Sequence, residues 1–117
     1  MKRMQAKTDS VKIYMGLREG YDGPDHPLDE VTEFLKKLAD EDPICFSVTI
    51  TRYVHPKGIE GGVTIGMINY PRFPKPRKVF RERAFQVAES LKEHFKQFGV
   101  TIEFQNETFT LSTHPEG

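Results

Sequence analysis

Six of the chain's 17 lysines and arginines crowd the entry to its longest helical segment: Arg72, Lys75, Arg77, Lys78, Arg81 and Arg83. A helix start is the positive end of the peptide dipole, so each exposed cation there costs about 0.3–1 kcal/mol. A compensating anion is required, supplied by an acidic side chain of the same molecule or by a bound ligand. The stretch Asn69, Tyr70, Arg72, Phe73, Lys75, Arg77 and Lys78 has the chemistry of an anion site. A helix start offers free backbone N–H groups, arginine grips phosphate or carboxylate through two parallel bonds, and Tyr70 or Phe73 can stack on a base. Pro71, Pro74 and Pro76 hold this loop extended at little ordering cost. A phosphorylated ligand and an acidic protein surface both fit.

A second candidate site combines Arg18, Glu19, Tyr21, Asp22, Asp25 and His26 with Arg52, Tyr53, His55, Lys57 and Glu60. Glu19 and His26 could act as an acid–base pair. Asp22, Asp25, His26 and His55 are suitable ligand types for a divalent metal, but their spacing matches no metal motif, and Asp25 is equally explained as a cap at a helix entry. No metal or cofactor is therefore expected. The glycines from Gly58 to Gly62 precede no helix, so they are not a phosphate loop. Cys45 has no neighbouring base in the sequence and reads as a quiet thiol.

The elements that must position these residues are marked by hydrophobic period. Val11, Ile13 and Met15 alternate with polar residues as a half-buried strand, and Leu28, Val31, Phe34, Leu35 and Leu38 repeat at helical spacing after Pro27. Ile44, Phe46, Val48 and Ile50 form a second strand, His55 to Gly62 a long hairpin turn, and Val63, Ile65 and Met67 a third strand. Phe80, Ala84, Val87, Ala88, Leu91, Phe95 and Phe98 make one face of the second helix, which Gly99 is expected to terminate. Val100, Ile102 and Phe104 follow as a fourth strand, with Thr108 to Ser112 as a short fifth at the edge. The order β-α-β-β-α-β predicts an α+β, ferredoxin-like domain over residues 11–112. Its antiparallel sheet has strand order 4-1-3-2 and two helices on one face. Residues 1–10 read as a flexible arm and 113–117 as a flexible tail.

In this topology the antiparallel helices bring Asp40, Glu41 and Asp42 near Arg77, Lys78 and Arg81. Pairing between those clusters is the competing account of the basic run, although exposed pairs give only about 0–1 kcal/mol each. The open face of the sheet presents Lys12, Tyr14, Ser47, Thr49, Thr51, Thr64, Gly66, Ile68, Thr101 and Glu103. RNA-recognition modules share this topology but stack bases on paired aromatics of the central strands, and that pairing is missing here. The threonine-rich face with its Gly66 gap suits packing on a second copy, so a homodimer or larger oligomer is expected.

A formal net charge of zero argues against general affinity for nucleic acid or acidic membrane. The charge is segregated, however: residues 22–42 carry eight acids against two lysines, and residues 72–83 carry six bases against Glu82. No apolar run approaches the ~20 residues of a membrane span. The N-terminus has no signal-peptide character, and a single cysteine is in keeping with a reducing cytoplasm.

The segments Gly16-Leu17-Arg18-Glu19-Gly20-Tyr21-Asp22-Gly23 and Ile68-Asn69-Tyr70-Pro71-Arg72-Phe73-Pro74 resemble stretches of small uncharacterised phage and prophage proteins. The resemblance carries no activity or catalytic residue with it. It implies a protein that binds and inhibits, or sequesters, a component of a host cell. Without a recognisable nucleophile or metal motif, the residues point to a non-catalytic, homo-oligomeric binding protein. It would engage an anionic ligand or acidic host-protein surface through residues 69–78. The alternatives are a small enzyme acting on a phosphorylated or nucleotide substrate, with Arg18, Glu19 and His26 at its site, or an RNA-binding module.

Overall fold

In a computed structural model, which describes residues 1–5, 7–72 and 74–113, five strands and two helices follow one another in the order β-α-β-β-α-β-β. They are β1 (Ser10–Gly16), α1 (Leu28–Glu41), β2 (Phe46–His55), β3 (Gly58–Ile68), α2 (Arg77–His94), β4 (Gly99–Phe104) and β5 (Thr108–Ser112). All strand pairs are antiparallel, in the order β2-β3-β1-β4-β5. The class is α+β. β5 pairs with β4 over its whole length and lies at the sheet edge, where the sequence places a short fifth strand.

The alternation of apolar and polar residues sets one sheet face inward. Val11, Ile13 and Met15 of β1, Val63, Ile65 and Met67 of β3, and Val100, Ile102 and Phe104 of β4 join Val31, Leu35 and Leu38 of α1. Phe80, Ala84, Val87, Ala88, Leu91 and Phe95 from α2 and its cap complete this single core. At about 25 cal/mol per Å² of apolar surface removed from water, this burial is the main term holding the helices on the sheet.

Two boundaries differ from expectation for physical reasons. Helix α2 ends at His94, with Phe95 as its cap, and not at Gly99. Lys96 then takes the left-handed conformation (φ 53°) in which glycine is preferred, while Gly99 opens β4. The long hairpin turn is shorter than expected. β2 and β3 stay paired out to His55 and Gly58, leaving Pro56 and Lys57 as the turn. Glycines at 58, 61 and 62 read as loop residues, but here they sit in the ladder opposite His55, Arg52 and Thr51.

Candidate functional site

The basic run is largely neutralised from within. Arg77 Nε donates to Asp9 Oδ1 at 2.8 Å, which places a carboxylate at the start of α2, where the dipole favours it. Asp42 takes both Lys75 (3.1 Å) and Arg83 (3.4 Å), and Arg83 also donates to the Leu38 carbonyl at 2.9 Å. Arg81 reaches Glu107 at 3.4 Å and lies 4.1 Å over the Phe104 ring. Pairing within the molecule thus dominates, through different partners from those expected. Among the described residues only Asp42 of the acidic cluster meets the basic run, and Asp40 pairs with Lys36 on its own helix.

The individual residues of this first candidate set are placed as follows. Asn69 closes the loop on itself, its amide donating to the Lys75 carbonyl (2.6 Å) and its oxygen accepting from the Lys75 N–H (2.8 Å). The Tyr70 hydroxyl is hydrogen-bonded with Cys45, and this contact, more than burial, pushes its pKa above the ordinary value. Arg72 and Lys78 are exposed and make no hydrogen bond or ion pair among the described residues. Phe73 lies outside the described residues.

The second candidate set divides. The loop between β1 and α1 is pinned by Leu17, Glu19 and His26 main-chain bonds, and by the Gly20 N–H to the Lys96 carbonyl (3.2 Å). Gly20 holds φ 54°, natural for glycine. His26 Nδ1 lies 2.8 Å from Glu30 Oε2, and its Nε2 stands 3.0 Å from Glu19 Oε1 without the alignment of a hydrogen bond. His94 approaches the other oxygen of Glu30 at 3.5 Å and stacks on Phe34, while the His26 ring meets the edge of Phe95. Glu30 and His94 are absent from the sequence-derived set. Their only sequence signal is that Glu30 lies four residues, one helical turn, after His26. Asp25 does not cap α1, whose N-cap is Pro27; it pairs with Arg18 at 3.4 Å. Tyr21 packs on Phe98, and Asp22 is exposed. His55 sits at the far hairpin tip, where its ring accepts from the Lys57 N–H (3.3 Å). Among the described residues no three His, Cys, Asp or Glu side chains are placed to hold a metal ion.

Beside the second cluster, on the sheet face away from the helices, Tyr53 and Glu60 of the sequence-derived set meet Gly16, Gly62 and Gln97, which the sequence reading does not place with them. Gly16 of β1 pairs with Gly62 of β3, so two adjacent positions of the open face carry no side chain. The Tyr53 ring lies across Gly62 and is fixed by its hydroxyl, which donates to the Val63 carbonyl at 2.6 Å. Glu60 is directly opposite Tyr53, half-buried, and free of hydrogen bonds and ion pairs among the described residues. Its Oε2 and the Oε1 of Gln97 converge over Gly16, 3.8 and 3.4 Å from the point a Cβ there would occupy. Gln97 is held by its amide, which donates to the carbonyls of Arg18 (2.8 Å) and Phe95 (2.9 Å). Burial raises the Tyr53 pKa above its ordinary value, and the Glu60 charge raises it further. Two outward-facing oxygen acceptors, one of them an unpaired carboxylate, thus stand beside an aromatic ring and bare backbone. That arrangement suits a cationic, hydrogen-bond-donating group.

No protein-family model and no curated protein sequence matches this chain. Two solved structures match it in shape. One is a phage SAM lyase in complex with S-methyl-5'-thioadenosine, at TM-score 0.76 and 20% identity, covering 97% of this chain and 95% of that one. The other is a phage SAM lyase in the apo state, at TM-score 0.77 and 19% identity, covering 97% and 96%. The shared fold corrects the expectation of a non-catalytic binding protein, because the proteins built on the same whole-chain architecture are enzymes. Both are phage proteins, in keeping with the resemblance drawn from residues 16–23 and 68–74.

Proposed function

We propose that this chain is a phage-derived lyase that cleaves S-adenosylmethionine (SAM) and releases methylthioadenosine, and that its fold is the ferredoxin-like unit with an added edge strand. The observation that supports it is the superposition of essentially the full chain on a phage SAM lyase holding S-methyl-5'-thioadenosine. The reaction class agrees with the residue inventory. SAM carries its own leaving group: the bond from sulfur to the four-carbon amino-acid chain breaks, and its electron pair neutralises the sulfonium. A lyase adds no water, so the carbon left behind is satisfied from within the substrate. Either its own carboxylate closes on that carbon, or a neighbouring proton is lost. The first route needs no protein nucleophile and no metal, only a site that positions the substrate and excludes water.

Because the charge on sulfur disappears in the transition state, a poorly solvated site favours the step. The part of the open sheet face around Thr49, Thr64 and Gly66 is the proposed contact between copies of the chain, and the cytoplasm, where SAM is made and used, is the proposed place of action. The test is chromatographic. Purified protein incubated with SAM should convert it to methylthioadenosine faster than the spontaneous decay seen without protein. A rate equal to the blank across protein concentrations refutes the reading.

A further inference from the structure

Within that reading, which it presupposes, we infer that Glu60 and Gln97 over Gly16 form the subsite that holds the substrate's amino-acid ammonium group. An ammonium has three N–H donors and a full positive charge. The patch offers the complementary set: a carboxylate without a partner, a carboxamide oxygen locked outward by two donated bonds, and a gap where Gly16 lacks a side chain. The basic loop at the other end of the sheet has the wrong sign for this group, and its acidic side chains are already paired. The His26 cluster has carboxylates, but Glu30 is engaged by His26 and His94, and Glu19 is packed against His26. Among the described residues Glu60 alone combines a free carboxylate with a neighbouring fixed acceptor and an aromatic wall, Tyr53.

The consequence is specificity. A carboxylate that faces an ammonium in place of water rewards substrates with an intact amino-acid chain over nucleosides that lack it. Charge-assisted hydrogen bonds of this kind correspond to roughly a tenfold to hundredfold preference. Glu60 is a positioning group here: it holds one end of the substrate so that the sulfur–carbon bond lies in the site.

The experiment is equilibrium binding of three nucleosides to the full chain: SAM, its neutral-sulfur analogue S-adenosylhomocysteine, and methylthioadenosine. The first two carry the ammonium and the third does not. The inference expects Glu60→Gln to weaken SAM and S-adenosylhomocysteine by about tenfold or more and to leave methylthioadenosine unchanged. Gly16→Ala, which places a methyl group 3.4 Å from the Gln97 oxygen, should do the same in the same order. Both variants should melt like wild type, since Glu60 makes no internal hydrogen bond and Gly16 needs no positive φ. Loss of SAM binding alone would assign Glu60 to the sulfonium and overturn the ammonium assignment. Equal loss of all three ligands, or of none, overturns the subsite altogether. Wild-type protein that shows this selectivity yet releases no methylthioadenosine refutes the lyase reading and leaves the subsite standing.

Discussion

Neighbouring glycines 61 and 62 make opposite demands on the same strand, and replacing each with alanine measures how the open face is built. A Cβ on Gly61 meets nothing within 4 Å, so Gly61→Ala restricts only the unfolded chain and should be neutral or stabilising by up to about 1 kcal/mol. A Cβ on Gly62 would overlap the Tyr53 ring and stand 2.6 Å from the Met15 carbonyl. The ring can swing away, at the cost of its hydroxyl bond to Val63, roughly 1 kcal/mol. The carbonyl belongs to a central strand and cannot move. Overpacking of this kind costs about 1–3 kcal/mol, which brings the total to about 2–4 kcal/mol. In a domain of this size that lowers the melting temperature by roughly 8–16 °C. Paired thermal melts of the two single variants are the assay. Melting points for Gly61→Ala and Gly62→Ala that coincide would refute the packing of Tyr53 over bare backbone, and with it the aromatic wall of the proposed site.

Asp42→Asn should cost about 1–2 kcal/mol in urea unfolding, between the values for surface and buried pairs, because it strands Lys75 and the nearly buried Arg83. Arg72→Ala, with no internal partner, should stay within about ±0.5 kcal/mol of wild type. Folding raises the pKa of Tyr14 and Tyr53 above the ordinary value of 10.0, chiefly through burial. The folded chain therefore binds more protons than the unfolded chain above about pH 10.0, so stability is full below that pH and falls as pH rises through the folded values. A pH series of melts should show that decline, and Tyr53→Phe should flatten it; an unchanged slope would exclude Tyr53 as its source. Thr49→Arg should place a charge in the proposed contact between copies and shift light scattering toward monomer, whereas wild-type protein that is monomeric at high concentration would exclude that contact.

Local sequence pattern carried the helices, the strand alternation and the sheet pairing, because burial on one face imposes period on each element. It failed where residues act through long-range register. The glycines at 58, 61 and 62 have turn chemistry taken singly, and only their pairing with β2 and β1 shows them to be ladder positions. The helix stop at Lys96 was masked by Gly99, the residue type usually expected there. Likewise Asp9 and Glu107 neutralise the basic run across 68 and 26 residues of sequence, distances at which no local motif speaks. The inference against catalysis had a different origin. It assumed that the protein must supply the reacting group, whereas a sulfonium substrate brings its own leaving group, so the protein need carry no nucleophile motif.

The most direct test of the lyase reading uses SAM labelled separately in its methyl group and in its carboxyl group, incubated with the purified chain and resolved by chromatography. The account predicts that the methyl label appears with adenine as methylthioadenosine, faster than in protein-free controls. The carboxyl label should appear at the same rate in a product without adenine. Retention of the carboxyl label with adenine, as in S-adenosylhomocysteine, or release of both labels only at the spontaneous rate, would contradict it.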